Sequence, residues 1–201
     1  MRPYIYLWHE RVAKRLVVSG IEFRDVLPEI RDAGGLVLLR HQFSAASFDP
    51  ISRFDFLPSD ELTDLADDDI YGYGDFSWAD YAPDVVLARL SDQAIAELTF
   101  FGHSGRLFGD TEIPGLTNRM LYWAHDDGWY GQIFYSRWEA VDSMLCRLLP
   151  GVLGEEQAIR TLDQVRRGEN AFWCSGGNAI ECEKTEDIDA LQKKYLIRRT
   201  P

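Results

Sequence analysis

Several short segments of the chain have the two-residue hydrophobic period of β-strands. Aromatic residues alternate with other side chains from Tyr4 to His9, and the apolar run Leu16 to Ser19 follows after a short polar break. Two such segments in succession predict a β-hairpin. The compact apolar run Leu36 to Phe43 predicts a buried strand, and another strand is predicted near Phe76. By contrast, the isolated aromatics among polar residues from Ser44 to Pro58 predict a loop.

Two further hairpins are predicted later in the chain. The β-type segments Asn118 to His125 and Trp129 to Tyr135 are separated only by the sequence Asp-Asp-Gly. Asp-Gly strongly favours a tight hairpin turn, because such turns need residues that tolerate positive φ angles. The segments Ala171 to Ser175 and Ala179 to Glu183 flank Gly-Gly-Asn and predict the other hairpin.

Apolar residues at three- and four-residue spacing predict the helices. One helix follows the N-cap candidate Ser91 and ends near Gly102 or Gly105, since glycine readily adopts the left-handed conformation at a helix end. Other helices are predicted as a short piece around Pro28, as an acidic helix from Ser59, over Val141 to Leu148 before Pro150, over Ile159 to Val165 before Gly168, and from Thr185 onward.

The order of these elements predicts the fold class. Hairpins interrupted by helices lack the regular β-α alternation of a parallel, doubly wound sheet. We therefore predict an α+β fold, with a largely antiparallel sheet built from hairpins and with helices packed mainly on one face. A chain of 201 residues can form one domain over residues 1–201. A subdivision near residues 150–154 stays open.

The acidic composition narrows the choice of partners. Acidic residues outnumber basic ones by 33 to 21, which gives a net charge of −12. This charge opposes binding to nucleic acid, which depends on clustered Lys and Arg, and it opposes binding to anionic lipid for the same reason. It favours a basic protein partner instead, because opposite charge steers association.

The distribution of apolar residues predicts a soluble, cytoplasmic protein. No apolar run approaches the roughly 20 residues that cross a bilayer, and the segment after Met1 lacks the apolar core of a secretory signal. The excess of Arg over Lys favours a GC-rich, bacterial genome.

The residues that commonly bind metals show no ligand pattern. The three cysteines, Cys146, Cys174 and Cys182, lack the C-x-x-C spacing of zinc or redox sites, and we predict no metal and no cofactor. A bridge between Cys174 and Cys182 stays open, because the two residues flank a predicted turn. The histidines are also scattered, although three of them (His9, His41 and His125) lie near predicted strand ends and could converge in space.

The hairpin at His125 and the glycine-rich end of the Ser91 helix hold the candidate catalytic residues. A histidine beside two carboxylates, here His125 with Asp126 and Asp127, can serve as a general base or proton shuttle. Asp-Asp-Gly is equally what a turn selects for its conformation. The sequence Gly-His-Ser-Gly places His103 in the beginning of a G-x-S-x-G nucleophile elbow, but Arg106 breaks that pattern.

Two groups of residues are candidates for binding a partner. Trp, Tyr and Arg dominate binding hot spots, and they are concentrated around the Asp-Asp-Gly hairpin. Acidic residues are concentrated after Ser59. The binding candidates are Trp123, Trp129, Tyr130, Arg119, Arg137, Asp60, Glu61 and Asp64.

Two functions are consistent with these candidates. The first is a small acidic protein-interaction module, such as an immunity- or inhibitor-type protein that binds a basic partner. The alternative is a hydrolase-like enzyme with a site around the His125 hairpin.

Overall fold

The computed structural model describes residues 4–21, 23–30, 33–39, 54–61, 76–86, 89–125 and 130–174. Their strands form one antiparallel sheet in the order β4-β3-β5-β6-β7-β2-β1-β8. The strands are β1 (Tyr4–Glu10), β2 (Arg15–Ser19), β3 (Gly35–Leu39), β4 (Phe54–Pro58), β5 (Phe76–Tyr81), β6 (Met120–His125), β7 (Tyr130–Tyr135) and β8 (Ala171–Cys174).

Four helical elements accompany the sheet within the described ranges, and the predicted α+β class with an antiparallel sheet is confirmed. None of the helices in the described ranges has the length and hydropathy needed to cross a lipid bilayer. The helices are α1 (Phe23–Val26), which continues as a 3₁₀ turn (Leu27–Ile30), α2 (Asp92–Ser104), α3 (Trp138–Leu153) and α4 (Glu155–Arg167).

The sheet has an apolar core on each of its two faces. Side chains alternate along β6, so that Met120 and Tyr122 lie in one core while Leu121 and Trp123 lie in the other. Helices α1, α3 and α4 pack in the first core, and α2 packs in the second. The expectation that the helices lie mainly on one face is therefore not confirmed.

The elements predicted from local signals are present. Strands β1 and β2 pair in register from Tyr6↔Ser19 to Glu10↔Arg15, and β6 pairs with β7 across the Asp-Asp-Gly segment. Helix α2 begins at the predicted cap, where the Ser91 side chain accepts a hydrogen bond from the Ala94 N–H at 3.2 Å. Gly168 closes α4, as predicted.

Three predictions based on local signals are wrong or incomplete. The segment predicted as a loop contains β4, whose residues Phe54 to Pro58 pair antiparallel with β3. Helix α3 continues through Pro150 to Leu153. Strand β8 pairs with β1, more than 160 residues earlier in the chain, whereas its predicted hairpin partner (179–183) lies outside the described residues.

Two predicted helices lie largely outside the described residues. Ser59 to Glu61, at the start of the predicted acidic helix, form a turn, and the rest of that helix lies outside, as does the helix predicted from Thr185.

The end of α2 is locked against β6 through a glycine. Gly105 has a φ of 59°, and its N–H donates to the Phe101 carbonyl at 2.8 Å. A Cβ at this position would lie 2.6 Å from the indole ring of Trp123. The same indole donates its N–H to the Gly102 carbonyl at 3.2 Å, so helix end and strand fit closely.

We expect Gly105→Ala to lower the free energy of unfolding by about 1–3 kcal/mol, because it combines an unfavourable left-handed backbone with a steric overlap. Urea denaturation followed by tryptophan fluorescence measures this change. Gly109→Ala is the matched control, since a Cβ there meets only Glu97 Oε1 at 3.9 Å. Equal losses in the two variants would contradict the close fit between Gly105 and Trp123.

Candidate functional site

Three exposed carboxylates lie on neighbouring turns at one end of the sheet. Asp60 and Glu61 follow β4, and Asp84 follows β5. The backbone of Gly34 joins these turns, because its N–H donates to the Tyr81 carbonyl (2.7 Å) and its carbonyl accepts from the Ser59 N–H (3.1 Å). We call Asp60, Glu61 and Asp84 the acidic patch.

The acidic patch carries uncompensated negative charge. None of its three carboxylates makes an ion pair with another residue that the structure describes. The pKa of the neighbouring Tyr81 hydroxyl is raised, first by burial and then by the charges of Asp60 and Glu61. These two carboxylates are therefore close enough to act on a shared neighbour. Asp64, the third acidic residue predicted from the sequence, lies outside the described ranges.

Two of the four predicted catalytic residues, His125 and His103, lie in the described ranges. His125 ends β6 and is the register partner of Tyr130, the first residue of β7. The segment between them, with Asp126, Asp127 and Trp129, lies outside the described residues. The other candidate, His103, is exposed in the last turn of α2.

The remaining binding candidates in the described ranges differ in exposure. Trp123 is only 9% exposed and packs in the α2 core. Arg119 is tied to a buried carboxylate, and Arg137 is exposed immediately before α3. Trp123 therefore contributes packing between sheet and helix rather than a surface for a partner.

The carboxylate that holds Arg119 is Asp80, which the sequence analysis did not single out. Asp80 is 1% exposed on β5 and accepts hydrogen bonds from the Arg119 N–H (2.8 Å), the Met120 N–H (2.7 Å) and the Arg119 side-chain Nε–H (2.9 Å). Burial raises the pKa of Asp80, although these hydrogen bonds oppose the increase. The residue joins β5 to the start of β6, next to the acidic patch.

We expect Asp80→Ala to lower the free energy of unfolding by about 3 kcal/mol, because it leaves two buried backbone donors without acceptors. Asp80→Asn keeps an oxygen for those donors and should cost about 1 kcal/mol, mainly through the weakened bond to Arg119. Chemical denaturation of both variants tests this order. Similar losses for Asn and Ala would show that the backbone hydrogen bonds contribute little.

A buried histidine occupies the face opposite α2. His9 is 5% exposed and stacks on Trp138 with ring centroids 4.0 Å apart. Its Nδ1 lies 3.1 Å from the Val165 carbonyl, which can only accept, so Nδ1 carries the proton. Its Nε2, 2.6 Å from the Tyr135 hydroxyl, then accepts from that group in the neutral ring. Both ring nitrogens are therefore used in the core.

His9 and His125 do not converge. The register aligns His9 with Leu16, Ile133 and Tyr122 in turn. Tyr122 precedes His125 by three residues on β6, which places the backbones of the two histidines roughly 10 Å apart along the strands and about 14 Å apart across them. His41 lies outside the described ranges.

Burial lowers the pKa of His9 below its ordinary value of 6.5, although the hydrogen bond to Val165 opposes this. In the unfolded chain His9 takes up a proton near pH 6.5, whereas in the folded protein it does so only at lower pH. Its contribution to stability is therefore present above pH 6.5 and is lost as the pH falls below that value.

We expect His9→Gln to lower the free energy of unfolding at pH 7.5 by about 1–2 kcal/mol through the lost hydrogen bonds. The difference in the free energy of unfolding between wild type and variant should be smaller at pH 5.5. Acid favours the unfolded wild type, in which His9 binds a proton more readily than in the folded protein, whereas Gln does not titrate. Urea unfolding of both proteins at pH 7.5, 6.5 and 5.5 measures it. A difference that stays constant or grows on acidification would contradict the direction of the pKa shift.

The described cysteines and the other residues that commonly bind metals form no metal site in the part of the chain that the structure describes. No group of three or more His, Cys, Asp or Glu residues there could hold a metal ion. Cys146 Sγ lies 3.3 Å from Arg166 Nη2, beside the ion pair of Arg166 with Asp142. Cys174 lies on β8, and Cys182, its proposed partner, is outside the described ranges.

Comparisons of the chain with protein-family models, with curated proteins and with solved structures found no match. The function is accordingly inferred from the geometry.

Proposed function

We propose that this chain is an acidic protein-interaction module, of the immunity or inhibitor type, that binds a basic protein partner through the acidic patch. The observation that carries the proposal is the group of three exposed carboxylates on adjoining turns, none of which is neutralised by another described residue. They add to a net charge of −12. Charge of one sign on both scales, local and overall, favours fast association with a basic surface.

The position of the acidic patch supports this role. Its turns are tied to the sheet by hydrogen bonds through Gly34. Carboxylates on a rigid frame lose little conformational entropy when they meet a partner. A preformed acidic surface of this kind suits a protein that neutralises another.

The strand next to the acidic patch could extend the interface. Within the described ranges β4 pairs with β3 alone, and its residues Asp55 to Pro58 are partly exposed. Edge strands present backbone groups to which another chain can add. The proposal uses this edge rather than the aromatic hairpin, because Trp123 is buried.

The hydrolase-like alternative needs a titratable group beside His125 or His103 in a shared pocket. Among the residues that can be placed, no specific observation favours it.

The test uses a charge-neutralised variant, Asp60→Asn, Glu61→Gln and Asp84→Asn combined. Affinity purification of the tagged wild-type protein from its native host supplies the partner, which is then purified and its binding measured by biolayer interferometry. We expect the variant to bind at least tenfold more weakly at 50 mM salt, mainly through slower association, because charge steers the encounter. The difference should diminish at higher salt.

A matched variant (Glu139→Gln, Glu155→Gln and Asp163→Asn combined) removes the same charge from the helical face. It should change affinity by less than threefold. Equal losses in the two variants would show that only net charge matters, and capture of no basic partner would contradict the proposal itself.

A further inference from the structure

A groove of about 370 Å³ lies between the turn joining β1 to β2 and the loop that follows α2. The turn contributes Val12 to Lys14, the loop contributes Gly105 to Leu107 and Gly109 to Thr111, and Arg15 and Phe134 extend the lining onto the sheet. The volume falls within the range of about 300–1,000 Å³ that is usual for small-molecule sites. No residue predicted from the sequence to be functional lines it.

The charge of the groove is opposite to that of the whole protein. Three basic side chains (Lys14, Arg15 and Arg106) and one acidic side chain (Asp110) line it, in a chain whose net charge is −12. Asp110 is already compensated, because its carboxylate accepts from Lys14 Nζ at 3.0 Å. Because Lys14 pairs with Asp110 and Arg15 pairs with Glu10, the remaining positive charge is that of Arg106, and it favours an anionic ligand.

Arg106 is the side chain best placed to meet that ligand. It is exposed, and it makes no ion pair with any residue in the described ranges. Lys14 adds a second donor, since an ammonium group has three N–H bonds and only one contact to Asp110 is present. Two cationic groups on opposite walls can hold one carboxylate or phosphate.

The loop wall of the groove is held in place by buried polar groups. Asp110 also accepts from the Thr111 N–H at 2.7 Å. Asn118, which is 2% exposed, donates to the Thr111 carbonyl at 2.8 Å and accepts from the Ile113 N–H at 2.7 Å. Because this wall is already ordered, the protein loses little conformational entropy when a ligand binds.

Arg15 is a buried cation among the groove-lining residues. Its side chain is 2% exposed, donates to Gln132 Oε1 at 2.7 Å and pairs with Glu10. Its guanidinium also lies 5.9 Å from the ring centroid of Phe134. Its Nε–H has no acceptor among the described residues, but its charge is balanced by Glu10, so Arg15 does not add to the free positive charge of the groove.

Apolar surface completes the lining. Phe134 and Leu107 contribute apolar side chains to the groove. Val12, which also lines the groove, is 99% exposed.

We propose that this groove binds a small organic anion in which a carboxylate or phosphate is attached to an apolar body. Arg106 and Lys14 bind the anionic group, and Leu107 and Phe134 contact the apolar part. The groove and the acidic patch share no residue, although the strands nearest to each, β7 and β5, are only two positions apart in the sheet, or roughly 10 Å. The inference does not depend on the proposed protein partner.

Titration of the ¹⁵N-labelled full chain with phenyl phosphate and with phenylacetate, followed by NMR, tests this inference. We expect saturable shifts of the backbone amides of residues 12–15 and 105–111, from at least one of the two probes. Arg106→Gln should raise the Kd of that probe at least fivefold. The control Arg89→Gln removes the same charge from an exposed residue outside the groove and should change the Kd by less than twofold.

Two further probes separate charge from apolar contact. Inorganic phosphate should bind at least tenfold more weakly than the better aromatic anion, and benzylamine, which carries the opposite charge, should not saturate. The inference is overturned if neither aromatic anion saturates, if benzylamine or inorganic phosphate binds as well as the anions, or if Arg106→Gln and Arg89→Gln have the same effect.

Discussion

The packing of apolar side chains on both faces of the central strands is the constraint on which the rest of the structure depends. Alternate residues of β6 enter different cores, and its neighbour β7 does the same through Ile133 and Phe134. Most of the central sheet is therefore closed to solvent. Within the described part of the sheet, polar groups that can meet a ligand therefore lie mainly at the ends of the strands and in the turns that join them.

The turns at one end of the sheet are held by buried polar residues. Asp80 secures the start of β6 through two backbone hydrogen bonds. Arg15 spans Glu10 and Gln132 on the neighbouring strands β1 and β7. Because a buried polar group without a partner is costly, these contacts favour one arrangement of the strand ends from which the turns leave.

That end of the sheet combines two surfaces of opposite charge. The acidic patch lies beyond β4 and β5, and the basic groove lies beyond β2 and beside α2. The net charge of −12 has the same sign as the acidic patch, but it gives no indication of the basic groove. A basic partner and a small organic anion could thus bind the same end of the molecule without competing for the same residues.

The sequence by itself determined the elements whose signals are local. The Asp-Asp-Gly hairpin and the Ser91 and Gly105 ends of α2 are all decided within a few residues, by turn conformation and capping. The same local reasoning identified Asp60 and Glu61 as exposed acidic residues. Only the tertiary structure decided that β8 pairs with β1, that β4 is a strand, that Trp123 is buried, and that Lys14 and Arg106 face one groove. These results depend on contacts between residues far apart in the chain, and neither periodicity nor composition carries information about such contacts.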